Sequence, residues 1–256
     1  MSVKIVEQTP QTQSPEEFVP SPPPTDLIFD DGEPLESNRH CININVLIES
    51  VHEAYRGRDD YFAGGNMFLY FSQQQVKNKD FRGPDFFVAL DVDGTRERRG
   101  WVVWEEQGRY PDVIVELMSP STANIDLEDK RRLYERTFST RNYFVYNPFN
   151  PESLQGWRLG ANGRYQDLTP NDRGWLWCDD LGLWLGTWEG TILRETGTWL
   201  RFYDADGNLV PLGAEWERER AEREQERAER AETDLQQLRD RLQAMGLDPD
   251  NLPPTQ

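Results

Sequence analysis

Cysteine and histidine are almost absent from this 256-residue chain: Cys41 and Cys178 lie in different segments without CxxC spacing, and His40 and His52 are the whole histidine complement. The first scarcity excludes a disulfide framework or a zinc finger and points to a reducing cytoplasm. The second excludes chemistry built on several imidazoles. No stretch approaches the ~18 consecutive apolar residues that cross a bilayer, and the N-terminus has no basic segment leading into an apolar one. Neither a transmembrane helix nor a signal peptide is therefore expected. Lysine is scarce too, supplying only Lys4, Lys77, Lys79 and Lys130 of the 28 basic residues.

Positive charge as a whole is short, with a net charge of −18. Phosphate binding is carried by Lys and Arg, so the total at first speaks against a nucleic-acid partner. The distribution weakens that objection. Residues 1–36 hold eight acids and one Lys, residues 214–256 hold twelve acids and seven Arg, and the stretch between carries only −6.

What is present is organised. Residues 1–24 contain six prolines and end in Pro22-Pro23-Pro24, a composition that predicts a disordered lead. From a plausible N-cap at Ser37, Cys41, Ile44, Ile48, Val51 and Tyr55 recur at helical steps and predict a helix to about Arg56. Three apolar runs, 66–72, 86–92 and 113–118, predict strands, the first apolar on both faces and so expected inside a covered sheet. A capping turn at Ser119-Pro120-Ser121-Thr122 precedes a predicted helix over 123–137, and Tyr143–Tyr146 predicts a fourth strand. From 151 to 213, aromatic-rich strands alternate with Gly and Asn turns and read as hairpins extending the sheet, their tryptophans mainly as core. Residues 214–246 are dominated by Glu, Arg and Ala, with Leu235, Leu238, Leu242 and Met245 at a and d of a short heptad seam. This part predicts a charged helix with a self-associating tip, followed by a flexible tail over 247–256. The body, residues 25–213, is expected to be one mixed α/β domain with a central mixed sheet flanked by helices.

The residues that could carry chemistry stand out by place. Glu116 is the one charged side chain within the strand Val113-Ile114-Val115-Glu116-Leu117-Met118, sharing a face with Asp112, Ile114 and Met118. A buried lone carboxylate is costly unless it is paired or bound to a cation; an arginine of the same sheet is one such partner. On the next helix, Leu127, Lys130, Tyr134 and Thr137 form a stripe that turns Lys130 toward the sheet, with Asp126 one turn earlier as an alternative partner. Asp85 opens another strand. Two carboxylates and an ammonium make an oxygen-rich site suited to Mg²⁺ or Mn²⁺, which is equipment for phosphodiester hydrolysis.

The string Pro111-Asp-Val-Ile-Val-Glu-Leu-Met-Ser-Pro-Ser-Thr122, then Asp126-Leu-Glu-Asp-Lys130, Tyr134 and Asn142-Tyr-Phe-Val-Tyr-Asn-Pro148 resembles the Uma-type restriction endonuclease family, as does Pro84-Asp85-Phe-Phe-Val. The resemblance spans about 25–200 and implies a restriction-endonuclease-like PD-(D/E)XK core. It also implies a bacterial DNA endonuclease, with Asp85 and Glu116 as metal carboxylates, Lys130 as the catalytic lysine, and Glu36, His40 and Asp112 as additional pocket residues. The chain departs from the pattern in three places. Met118 stands where the wider superfamily has Lys, and Asn142 and Asn147 stand where the family often has acids. These departures and the acidic charge support an alternative, a catalytically weak nuclease-fold module that works through its coiled coil. A phosphoesterase acting on small substrates is a further rival. The expected partners are DNA and a second copy of the chain.

Overall fold

The computed structural model describes residues 27, 37–72, 75, 83–119 and 125–245. The expected disordered lead, Glu36 and the C-terminal tail lie outside the described residues.

Helix α1 spans Asn38–Ala54, and the Ser37 hydroxyl caps it by accepting from the His40 N–H at 3.3 Å. The strands follow the apolar runs where those runs are continuous: β3 is Phe86–Leu90, β5 is Val113–Leu117 and β6 is Asn142–Asn147. With β1 (Tyr61–Gly64), β7 (Asn150–Leu159) and β8 (Tyr165–Asp167) they form a six-stranded sheet ordered β1-β3-β5-β6-β7-β8. Within it β5 and β6 are parallel and every other pair is antiparallel. A parallel neighbour requires a crossover. It is supplied by α2, residues 125–138, wound as π-helix over Ile125–Lys130 and Tyr134–Phe138 with a short α-helical piece, Arg131–Leu133, between.

Two expectations are corrected. The run 66–72 is not a covered central strand: only β2, Leu69–Tyr70, is extended, paired in parallel with β4, Trp101–Val102, in a separate two-stranded sheet. The bend before it is set by Gly65 and by Asn66, which takes a positive φ of 48° and so cannot continue a strand. The aromatic hairpins also do not all extend the main sheet. β7 and β8 do, whereas β9 (Leu176–Cys178), β10 (Leu183–Ile192) and β11 (Glu195–Tyr203) form a second, antiparallel sheet.

Strand alternation divides the core into two layers. Phe86, Val88, Val113, Val115, Leu117, Phe144 and Tyr146 face α1 and the three-stranded sheet. Phe87, Ala89, Ile114, Met118, Tyr143 and Val145 face α2, β2 and β4. Asn43 of α1 is buried and accepts the Leu200 N–H of β11 at 3.1 Å, tying helix to second sheet. Tryptophan is divided: Trp101 and Trp199 are fully buried and Trp157 and Trp175 nearly so, whereas Trp104, Trp177, Trp184, Trp188 and Trp216 are part-buried, so the expected core role holds for four of the nine. Helix α3, Gly213–Ala244, then leaves the body. No described helix is long and apolar enough to cross a membrane.

Candidate active site

Glu116 sits near the C-terminal end of β5, opposite Val145 of β6, and is 0% exposed. Alternation turns it with Ile114 and Met118 toward α2, the side that the sequence pattern predicts. Its carboxylate is fully engaged. Oε2 accepts from Lys130 Nζ at 2.9 Å and from the Asp85 N–H at 3.4 Å, and Oε1 accepts the Tyr134 hydroxyl at 2.6 Å.

The winding of α2 brings those donors in. An i→i+5 helix has a longer turn than an α-helix, so residues four apart share a face. Asp126, Tyr134 and Phe138 are accordingly buried with Lys130 between them, while Thr137 is exposed. The stripe is therefore 126–130–134–138 and replaces the expected 127–130–134–137. Lys130 does not choose between its two candidate partners: it also pairs with Asp126 Oδ1 at 2.8 Å. Asp126, 1% exposed, is expected only as an alternative partner of Lys130 and Tyr134 only as a neighbour on its stripe; both are members of the cluster. The spacing by fours that ends on the apolar Phe138 is the signal that could have found them. Tyr143 of β6 anchors the first turn by donating its hydroxyl to the Asp126 carbonyl at 2.8 Å.

Asp85 enters from the start of β3, where its Oδ2 accepts the Leu117 N–H at 2.7 Å across the β3–β5 pair. Its backbone is held from the other side by Asn66, whose N–H donates to the Asp85 carbonyl at 3.1 Å. Gly65 is required at this corner, because a Cβ there would lie 2.2 Å from that carbonyl and 2.6 Å from Ile44 Cγ2.

Other expected site residues lie elsewhere. Asp112 is at the opposite end of β5, where Oδ2 accepts the Leu90 N–H at 2.8 Å and Oδ1 faces Arg141 Nε at 3.7 Å. Four residues of strand separate it from Glu116, roughly 13 Å of rise, so it latches β3 to β5 and is not part of the cluster. Asn142 lies at that same far end, opposite Val113 and bonded to Asp180. Asn147 accepts the Phe149 N–H at 2.9 Å and shapes the β6–β7 turn. His40 is buried one helical turn before Ile44, its Nδ1 2.7 Å from the Ser37 hydroxyl and its ring 6.2 Å from that of Phe149. Met118 is packed among Leu69, Phe87 and Tyr134.

The electrostatics are lopsided. Asp85, Glu116 and Asp126 surround one ammonium. Burial pushes Glu116 up to about 8 despite the nearby Lys130, and burial likewise raises Asp85. Burial alone would lower Lys130, but Glu116, Asp126 and Asp85 outweigh it and hold the ammonium above its ordinary value. Burial, then Glu116, keeps the Tyr134 hydroxyl protonated far into the alkaline range. The cluster is thus short of positive charge, and its donors are all oxygen. That fits a hard divalent cation, which binds through one or two carboxylates and keeps several waters. Among the described residues no group of three or more acids, histidines or cysteines is placed to hold a metal ion, so a cation here would rest on fewer protein ligands.

Residues 15–188 match the model of the Uma2 family, described as "Putative restriction endonuclease". Among solved structures, a putative nuclease belonging to DUF820 from Anabaena variabilis is similar at 14% identity with a TM-score of 0.38, over 54% of this chain and 74% of that one. No curated protein matches the chain.

Proposed function

The chain belongs to the Uma2 family of putative restriction endonucleases, and from that premise we propose that it is a metal-dependent endonuclease hydrolysing DNA phosphodiester bonds at Asp85, Glu116 and Lys130. The observation that carries this reading is the buried excess of acid around one lysine near the end of a central strand. Perturbed acids gathered in this way are costly to fold and are characteristic of functional sites. Asp85 and Glu116 would hold Mg²⁺ or Mn²⁺, which when bound supplies polarisation of the phosphoryl group and a more acidic water.

The chain's own residues have separable tasks. Lys130 remains an ammonium, so its part is to stabilise charge developing on phosphate oxygens and not to accept a proton. With its side chain 20% exposed, against 0% for Glu116, it is the member of the pair that reaches the surface. Tyr134 stays a neutral donor and fixes one oxygen of Glu116, leaving the other to the ionic side of the cluster. The Leu117 N–H orients Asp85. Lys130 takes over from helix α2 the charge that the wider superfamily places two residues after the acid, the position of Met118 here. We take 25–213 as the nuclease domain and 214–246 as an arm through which the chain self-associates.

A second reading, a weakly catalytic nuclease-fold module working through this arm, is favoured by the net charge of −18 and by the exposed length of α3. Cleavage separates the two. With Mg²⁺ or Mn²⁺ titrated over supercoiled and single-stranded DNA, the full chain should cut, and Asp85→Asn and Glu116→Gln should each lose at least about 100-fold while keeping the native circular dichroism. Full activity in both variants would sink the site assignment. Metal binding without cleavage of any nucleic acid would favour the module.

A further inference from the structure

Helix α3 is anchored firmly at its base and bare beyond it. Glu215 caps the first turn by accepting the Leu212 N–H at 2.8 Å and is gripped by the fully buried Arg201 at 2.8 Å. The Gly213 N–H donates to Glu49 of α1 at 2.8 Å, and Arg56 stacks on Trp216 at 4.8 Å from its ring centroid. From Glu217 to Arg241 every residue is exposed. The helix has 32 residues, so it extends about 48 Å from end to end. A polar helix of this kind gains little from propensity alone and is normally stabilised by packing, and among the described residues nothing covers its outer part.

The outer part carries a seam. With Leu235 at a, the a and d positions from 228 onward are Ala228, Ala231, Leu235, Leu238, Leu242 and Met245. Leu235, Leu238 and Met245 are 52%, 55% and 73% exposed. The first turn presents Glu215 and Trp216 to the body, and these fall at b and c of the same register, on the side away from the seam. The exposure of residues 217–241 leaves the seam open to a partner.

The flanking charges select the occupant. In a parallel pair, g of one helix meets e of the next heptad on the other. This sets Arg227 against Glu232 of the second copy and Asp234 against Arg239, each twice by symmetry. In an antiparallel pair, e meets e and g meets g. Set with Leu235 against Met245, it brings Arg239 to Arg239 and Arg241 to Arg241. Slid by one heptad, it sets Ala228 against Met245, Ala231 against Leu242 and Leu235 against Leu238, with Glu232 facing Arg239 and Asp234 facing Arg241. The parallel in-register pair and this antiparallel one both match seam and flanks, and in both the occupant is a second copy of the same face.

We infer that the Ala228–Met245 face of α3 pairs with the same face of a second copy, with Glu232 and Asp234 of each helix set against arginines of the other. This deepens the self-association named above and, resting on the proposed nuclease site, brings two Asp85–Glu116–Lys130 clusters to one assembly. Its geometry is independent of whether either cluster cuts.

Sedimentation of the full chain over a concentration series should give a dimer. Glu232→Arg should weaken it about tenfold, since attractive flank pairs become repulsive. Adding Arg227→Glu should restore a parallel pair and adding Arg239→Glu an antiparallel one, with unchanged helicity. Ala228→Cys in a Cys41→Ser background should form a disulfide-linked dimer on mild oxidation if the helices run parallel, whereas an antiparallel pair holds residue 228 far from its copy. A monomer at every concentration would overturn the interface. A dimer that does not respond to the charge reversal at Glu232 would overturn the seam. Because cleavage is not read, failure here and failure of the nuclease reading are distinguishable.

Discussion

Two of the buried ionic clusters among the described residues are balanced differently. In the loops after β3 and β4, Glu106 is 6% exposed and is met by two arginines: Arg96 at 2.6 Å, and Arg98 through Nε at 2.9 Å and a second nitrogen at 3.1 Å. Arg98 is further held by the Asp93 and Arg96 carbonyls and stacks on Phe62 and Trp101. Around Lys130 the proportion is reversed, with three carboxylates to one cation. Both clusters are closely bonded, so hydrogen bonding does not tell them apart. The difference is net charge. A neutral or cation-rich cluster joins loops, whereas an acid-rich one holds charge that folding alone gives no reason to collect.

The comparison can be broken by neutralising one acid in each cluster. Glu106→Gln strands a desolvated arginine and should cost about 3 kcal/mol, read by urea denaturation, with any cleavage activity per folded molecule unchanged. Glu116→Gln should leave stability level or raise it, because it relieves the excess of acid while its amide oxygen can still accept from Lys130 and its NH2 can donate to the Tyr134 hydroxyl oxygen. An equal loss in the two variants would erase the distinction.

A smaller effect comes from pH. In metal-free protein Glu116 holds its proton up to about 8 against an ordinary 4.5, so over that interval the folded chain binds more protons than the unfolded one. Stability must then fall as pH rises from 4.5 to about 8 and level off above it; Asp85, raised as well, acts in the same direction. Melting temperature measured in chelator should show this slope, Glu116→Gln should flatten it, and Mg²⁺ should oppose it at the alkaline end. A wild-type profile that is flat or rising over the interval would contradict the acid excess. The smallest effect belongs to Asp112. Asp112→Asn should cost about 1 kcal/mol through the Leu90 N–H bond and leave cleavage intact, whereas a loss like that of Glu116→Gln would return Asp112 to the site.

Much of this arrangement could be read before any coordinates. The runs at 86–92, 113–118 and 143–146 and the helix from Ser37 are local signals, and each element forms within a few residues of its expected bounds. Asp85, Glu116 and Lys130 are brought together as the residue pattern and the family resemblance imply. The misses share a cause. β4 has two residues and β1 four, and both exist because a neighbour pairs with them. The run at 66–72 is apolar enough for a strand, but Gly65 and Asn66 turn the chain there to hold the Asp85 backbone. Asp112 and Glu116 share a face by alternation, and alternation is silent about which end of a strand a residue occupies.

The sequence by itself determined which side chains are anomalous: an acid within an apolar strand, a lysine in a chain that prefers arginine, and a heptad seam on a charged helix. Those are properties of composition and period, and they survive without knowledge of neighbours. Only the tertiary structure decided that the lysine serves two acids at once, that Tyr134 bonds the same carboxylate, and that Asp112 stands apart from them. These outcomes depend on the π-winding of α2 and on the parallel register of β5 with β6, which bring separate segments within hydrogen-bonding distance. Burial then converts that proximity into shifted proton affinities, because desolvation acts on a charge only once other elements have closed around it.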